Sequence, residues 1–295
     1  MKNDSDDPCP CGSSLKYKKC CADSEDAGVD QGVMEYVMDK LKKRFKDKCF
    51  DSSNFATLPL RLDCNPQAPV LKLFSLLVDG IGEKGLMATA TGNLPRNFCR
   101  ESSKAYLGEE EYQRWWRLGE LRSEVEFMDM NITRLVAGLA VLIMKYKGKF
   151  ILSKECCKLL VEPGLPGIYP LLFRAFVRKY NWAYRDSMCD ILFMQHSFLF
   201  TLSLLKRYGG EWQSTTFYED KYLQAFPFLL KQVKPIGDYF PAEKVVRFAY
   251  RGRCLEGFAR FFGLVESESI GNDPYSEGSR VRKMPLLDQI VQFHL

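Results

Sequence analysis

The chain has 295 residues, 46% hydrophobic and 13% aromatic, with a formal net charge of +5. That much apolar material is enough for one large or two medium buried cores and excludes an intrinsically disordered chain. The mild basicity permits an anionic partner without requiring one; dedicated nucleic-acid domains are usually more basic.

The polar, acidic start from Met1 to Asp7 has no apolar signal-peptide core. The longest apolar runs, Leu135 to Met144 and Ser197 to Leu205, fall short of the ~20 residues that span a bilayer. Met188 to Leu205 is longer but is interrupted by Asp190, Gln195 and His196. These features lead us to expect a soluble, cytoplasmic protein with no membrane span.

The eleven cysteines are an odd number, and a chain this long with no export pattern does not read as a disulfide scaffold. Four of the cysteines crowd the first 21 residues as Cys9-Pro10-Cys11-Gly12, eight residues, then Cys20-Cys21. Four thiols so close in a reducing compartment suit zinc, whose structural sites are tetrahedral and closed. Gly12, Ser13 and Ser14 allow a tight turn after the first pair. Lys16, Lys18 and Lys19 lie between the pairs and would offset the negative charge of a tetrathiolate.

The run Pro8-Cys9-Pro10-Cys11-Gly12-Ser13-Ser14-Leu15-Lys16-Tyr17-Lys18-Lys19-Cys20-Cys21 resembles the SEC-C motif, found at the C-terminus of the SecA translocation ATPase and on many bacterial proteins. It departs from the family pattern only where Ser14-Leu15 replaces Gly-Lys. The resemblance implies that Cys9, Cys11, Cys20 and Cys21 are the ligands of a structural Zn2+, in a module used to dock on proteins, ribosomes or nucleic acid. A knuckle this small has little core, so the metal would supply most of its folding free energy, roughly 10–16 kcal/mol apparent in comparable peptides.

Ala22 to Gln31 is acidic and reads as a linker. From about Val29 to Lys48, Val33, Val37, Leu41 and Phe45 recur at helical spacing. Lys40, Lys42, Lys43, Arg44, Lys46 and Lys48 crowd the other face, either as a solvated face or as an anion-binding one. Cys49 to Pro69 carries three prolines and reads as a loop-rich connection.

In the main body, Val70 to Lys84 and Ile132 to Tyr146 each read as an apolar helix. A glycine-bearing turn, a short strand and a new helix then follow, Pro95 to Tyr106 in the first case and Lys154 to Val161 in the second. Ser153 is a fitting N-cap. That order occurs in winged-helix modules, so two winged-helix-like units about 60 residues apart suggest a duplication. Lys84 to Leu86 and Thr89-Ala90-Thr91-Gly92-Asn93-Leu94-Pro95 also resemble a segment of bacterial proteins related to a plasmid ORF-3 family, some with SEC-C tails; Met284 to Val291 resembles their closing segment.

Between the two units, Glu109 to Met130 is charged and helical, with Arg114-Trp115-Trp116-Arg117. Adjacent tryptophans on a helix diverge by about 100°, which sends one toward the core. Helices are expected near 168–180, 187–208, 218–231 and 242–262. Arg247, Arg251, Arg253 and Arg260 on the last of these read as a solvated face.

Catalytic signatures are largely missing. His196 reads as a hydrogen-bonded core residue and His294 as terminal. There is no HExxH, phosphate-loop, dinucleotide or nucleophile-elbow pattern. Glu124, Glu126 and Asp129 are the one group worth weighing as a metal-binding carboxylate set; a solvated helix is the plainer reading.

The expected fold is mainly α, with a zinc knuckle and linker (1–27), a basic amphipathic helix and connection (28–67), two winged-helix-like units with short strands (68–166) and a C-terminal helical domain (167–295). The expected function is a zinc-containing binding or adaptor protein for nucleic acid, the ribosome or a protein partner. Lys16, Lys18, Lys19, Lys42, Lys43 and Arg44 would form its electrostatic footprint. The alternative is an enzyme with an unseen site, such as a metal-dependent nuclease or a toxin-like effector.

Overall fold

The computed structural model describes residues 56–186, 191–237, 239–270 and 278–293. The expected zinc knuckle, basic helix and their lysines lie outside the described residues.

The described chain is mainly helical with short strands. It opens with β1 (Ala56–Thr57), α1 (Pro69–Ile81), β2 (Leu86–Met87), α2 (Arg96–Leu107) and α3 (Glu109–Trp115). A 3-10 turn, Glu124–Glu126, leads into α4 (Met128–Leu139), the hairpin β3 (Ile143–Tyr146) and β4 (Lys149–Leu152), and α5 (Lys154–Val161). Pro69 occupies the first turn of α1, where its missing N–H costs no helical bond. Ser153 caps α5 through its Oγ, which accepts from the Cys156 amide at 3.0 Å.

Ile132 to Tyr146 is not one helix. The chain leaves α4 at Leu139 and turns, and Ile143–Tyr146 becomes a strand. The turn out of α4 pairs the Leu142 amide with the Ala137 carbonyl at 2.9 Å and the Val141 amide with Gly138 at 3.0 Å. This is the Schellman pattern, which needs a left-handed residue at its centre. Val141 takes that place, with φ 59°, where glycine is usual. The next reversal, Lys147-Gly148, has φ 46° and 76°, the two positive values of a type I′ hairpin.

The sheet order is β2-β4-β3, all antiparallel, with Leu86 opposite Phe150. The strand that follows the first apolar helix therefore lies in the same sheet as the hairpin that follows the second.

The rest of the body is α6 (Leu165–Arg178), a 3-10 turn (Trp182–Arg185), α7 (Leu192–His196), α8 (Phe198–Tyr208), β5 (Gln213–Ser214), α9 (Thr215–Ala225), α10 (Leu229–Gln232) and α11 (Ala242–Tyr250). α11 continues as a π-helical stretch, Arg251–Arg260, followed by β6 (Val265–Ser269), β7 (Ser279–Lys283), α12 (Leu286–Ile290) and β8 (Gln292–Phe293). A second sheet has the order β5-β7-β6, and β1 pairs antiparallel with β8.

Aromatic rings fill the core. Phe176 packs on Phe262 at 4.9 Å and on Phe258 at 5.9 Å, and Trp182 lies 4.9 Å from Phe258. The Tyr169 hydroxyl donates to the Phe262 carbonyl at 2.7 Å, which satisfies a fully buried polar atom. A second cluster stacks Tyr222 on Tyr250 at 4.2 Å and sets Phe226 against Phe200 at 4.8 Å. Gly263, at φ 68°, lets the chain pass so close to residues 67 and 68 that an added Cβ would lie 2.6 Å from the Gln67 carbonyl oxygen.

Arg247, Arg251 and Arg253, on α11 and its π-helical extension, are not a solvated face. Arg253 is buried and forks onto Asp186, with Nε and NH2 each 2.8 Å from a carboxylate oxygen. Arg251 donates to the buried Glu219 at 2.7 Å, and Arg247 reaches Asp220 at 2.6 Å and Glu243 at 2.8 Å. They are spent on tying α9 and the Asp186 turn to α11, a use that helical spacing alone does not reveal.

Candidate functional site

The carboxylates weighed as a metal site do not converge. Glu124 is fully buried. Its Oε2 accepts from the Leu94 amide at 2.6 Å, and its Oε1 takes Asn131 Nδ2 at 2.9 Å and Arg134 Nε at 2.5 Å. Glu126 instead accepts from the Arg122 amide at 2.8 Å. Among the described residues no group of three or more His, Cys, Asp or Glu side chains could hold a metal ion. His196 is exposed at the end of α7 rather than buried. Trp115 is exposed and donates to Glu111, while Trp116 is half-buried with its ring 6.5 Å from the buried Tyr112, the inward turn expected of one of the two.

The buried thiols among the described residues are equally quiet. Burial pushes the Cys99 thiol up to about 12, with the Glu124 carboxylate adding to the effect. Burial also raises Cys254 to about 12 and Cys156 to about 11. None of the three is a nucleophile near neutral pH.

Among the described residues, a concavity lies where α4, the β3–β4 hairpin and the end of α6 meet. It encloses about 530 Å³, within the range of ligand-binding clefts. Leu135, Leu139, Ile143, Met144 and Phe150 supply apolar lining, and Tyr180 and Tyr184 stand on the α6 side. Arg134, Lys145 and Lys179 are its charged residues; no carboxylate lines it.

Each wall has a local cause. Arg134 is held over the Phe150 ring at 5.4 Å by its bond to Glu124. Lys179 donates to the Leu139 carbonyl at 3.0 Å, a cation on the open C-terminal end of α4. Tyr180 stacks on Phe176 at 5.2 Å, which anchors this wall in the aromatic core. Lys145 sits opposite Phe150 in the hairpin, close enough to Gly92 that a Cβ there would lie 2.9 Å from its Nζ. Val141 is exposed beside this cleft.

The hairpin tip is basic and aromatic. Lys145, Tyr146 and Lys147 are exposed and Lys149 half-buried, with Lys147 Nζ 5.3 Å from the Tyr146 ring. The sequence carried the signal for this hairpin in Lys147-Gly148 between two apolar-polar runs, masked by a continuous apolar helix pattern upstream.

One comparison bears on the N-terminal cysteines. Residues 7–23 match the family model of the SEC-C motif. All four clustered cysteines, Cys9, Cys11, Cys20 and Cys21, fall within that match. No curated protein and no solved structure matches the chain. Among the described residues, no helix is long and apolar enough to cross a membrane.

Proposed function

We propose that this is a zinc-containing adaptor protein that docks on a macromolecular partner. In this reading Cys9, Cys11, Cys20 and Cys21 hold one structural Zn2+. The observation that carries it is the SEC-C match over residues 7–23. Two thiol pairs separated by eight residues are a donor set suited to a closed zinc tetrahedron. When bound, the metal cross-links the two pairs and leaves no open coordination position for substrate. Lys16, Lys18 and Lys19 stay free to meet an anionic partner.

The body extends the reading. We take residues 69–152 as a single winged helix: α1, β2, α2 and α4, with α3 and the 3-10 turn inserted between α2 and α4, then β3 and β4 as the wing, in the sheet order β2-β4-β3. The strand after the first apolar helix and the hairpin after the second, parts of the two units that suggest a duplication, are then its first strand and its wing.

A nucleic-acid partner is the second reading, favoured by the exposed Lys145-Tyr146-Lys147-Gly148 tip and the half-buried Lys149 that follows it. In that version Lys42, Lys43 and Arg44 extend the electrostatic footprint.

The test begins with metal analysis of purified protein, with about one zinc per chain expected and lost on Cys20→Ser. Quantitative affinity capture should then show partners of the intact chain missing from Cys20→Ser, whose body melts unchanged. A chain lacking residues 1–27 that keeps every partner would falsify the docking role. The nucleic-acid version requires affinity that falls steeply with salt and drops on charge reversal at Lys42, Lys43 and Arg44.

A further inference from the structure

We infer that the cleft between α4, the β3–β4 hairpin and Tyr180–Tyr184 is a second docking site, independent of the SEC-C segment, that takes an acidic amphipathic helix of a partner protein. Three observations on different physical grounds meet there.

The first is charge. Arg134, Lys145 and Lys179 line the cleft with no carboxylate among the lining residues. Lys147 and Lys149 continue the positive charge along the hairpin. Arg134 is neutralised by Glu124, whereas Lys145 forms no ion pair among the described residues. A cationic rim around an apolar floor selects a ligand with acidic flanks.

The second is the nature of the floor. The exposed edge of α4 offers Leu135, Gly138 and Leu139, and the neighbouring hairpin offers Met144. Of the three rings in the lining, Phe150 and Tyr180 are buried and Tyr184 is exposed, so the accessible floor is mostly aliphatic and offers bases little of an aromatic stacking platform. Aliphatic side chains do form the grooves into which helices place anchors at i, i+3, i+4 and i+7. Leu139, Met144 and Tyr184 line the cavity and are exposed, and Val141, two residues beyond Leu139, adds an exposed apolar side chain outside the lining. A helix can follow this apolar surface where a small anion would cover only the cavity.

The third is strain. Val141 is a β-branched residue held at φ 59° in a Schellman turn, with 58% of its surface exposed. Its side chain contributes little to the core, and glycine would relieve the backbone. Backbone strain of this kind clusters at ligand-contacting sites.

The test selects a displayed library of random helical peptides on the full-length protein in physiological salt. The expected winners combine Asp or Glu with Leu, Ile or Phe at i, i+3 and i+4, and compete with one another. The best peptide, followed by fluorescence anisotropy, should bind at least tenfold more weakly to Lys145→Glu and to Leu139→Ser. It should also bind more weakly to Val141→Gly, whose melting temperature rises. All three positions are exposed, and unchanged circular dichroism would establish that the variants fold. Binding should be the same for Cys20→Ser, so loss of the SEC-C segment and failure of the cleft are distinguishable. Enrichment of basic or neutral peptides, no enrichment, or equal binding to the variants would overturn the proposal. So would displacement of the peptide by a single-stranded RNA homopolymer that itself loses affinity on Lys145→Glu.

Discussion

The amide of Leu94 donates to Oε2 of Glu124 at 2.6 Å, across thirty residues of chain. The other oxygen of the same carboxylate holds Asn131 and Arg134 on α4. One buried charge thus fixes the approach to α2, the 3-10 turn and the helix that walls the cleft.

Removing that charge leaves Arg134, itself only 13% exposed at its side chain, without compensation. Glu124→Gln should cost about 3–5 kcal/mol in chemical denaturation, the range for breaking a buried pair from one side. Glu124→Gln combined with Arg134→Met should cost less than the sum of the two single changes. An additive pair would mean the two side chains do not act together.

The two left-handed turns around the hairpin should respond in the same direction. Val141→Gly should stabilise the protein by about 1 kcal/mol, and Lys147→Asn by about 0.5 kcal/mol, since asparagine tolerates the first position of a type I′ turn. Gly148→Ala should destabilise it. Urea midpoints with unchanged slopes check all three.

Phe258 meets Phe173, Phe176, Phe198, Phe262 and Trp182. Phe258→Ala should therefore cost about 3–5 kcal/mol, and Phe258→Leu markedly less. The near-ultraviolet circular dichroism of Trp182 should flatten in the alanine variant.

Among the described cysteines, thiol alkylation mapped by mass spectrometry should mark Cys64 and Cys157 first, since both are exposed. Cys99 and Cys254, held up to about 12, carry only about one thiolate in ten thousand at pH 8 and are shielded as well. Raising the pH to 9 should multiply their thiolate about tenfold, yet labelling should still await unfolding. Equal labelling of Cys99 and Cys157 in native protein would contradict the packing.

How much of this was legible in the sequence differs from place to place, for physical reasons. The SEC-C segment was readable because the motif is a short run of cysteines at fixed spacing, which residues 7–23 match. α5 was readable from a Ser cap and a short amphipathic run; the structure gives Lys154–Val161, the expected bounds. The hairpin was hidden because Leu142 and Ile143 extend the apolar pattern of α4, and only the Val141 turn breaks the helix. The roles of Arg253 and Glu124 were hidden for another reason: each depends on a partner distant in sequence, and nothing local distinguishes a paired charge from a solvated one. The cleft belongs to the same class, since Tyr180 and Lys145 become neighbours only when α6 packs on α4.

The pairing of Ala56 with Phe293 and of Thr57 with Gln292 has a bearing on the order of folding. The β2-β4-β3 sheet and α1, α2 and α4 around it use only residues 69–152, so this part can consolidate while the chain is still being made. The strand at 56–57 has no mate until residues 292–293 have been synthesised, and Val70 and Gly263 bring chain segments together across nearly two hundred residues. Final closure of the body is thus a long-range, late event, the kind that slows folding and leaves an incomplete surface exposed in the meantime.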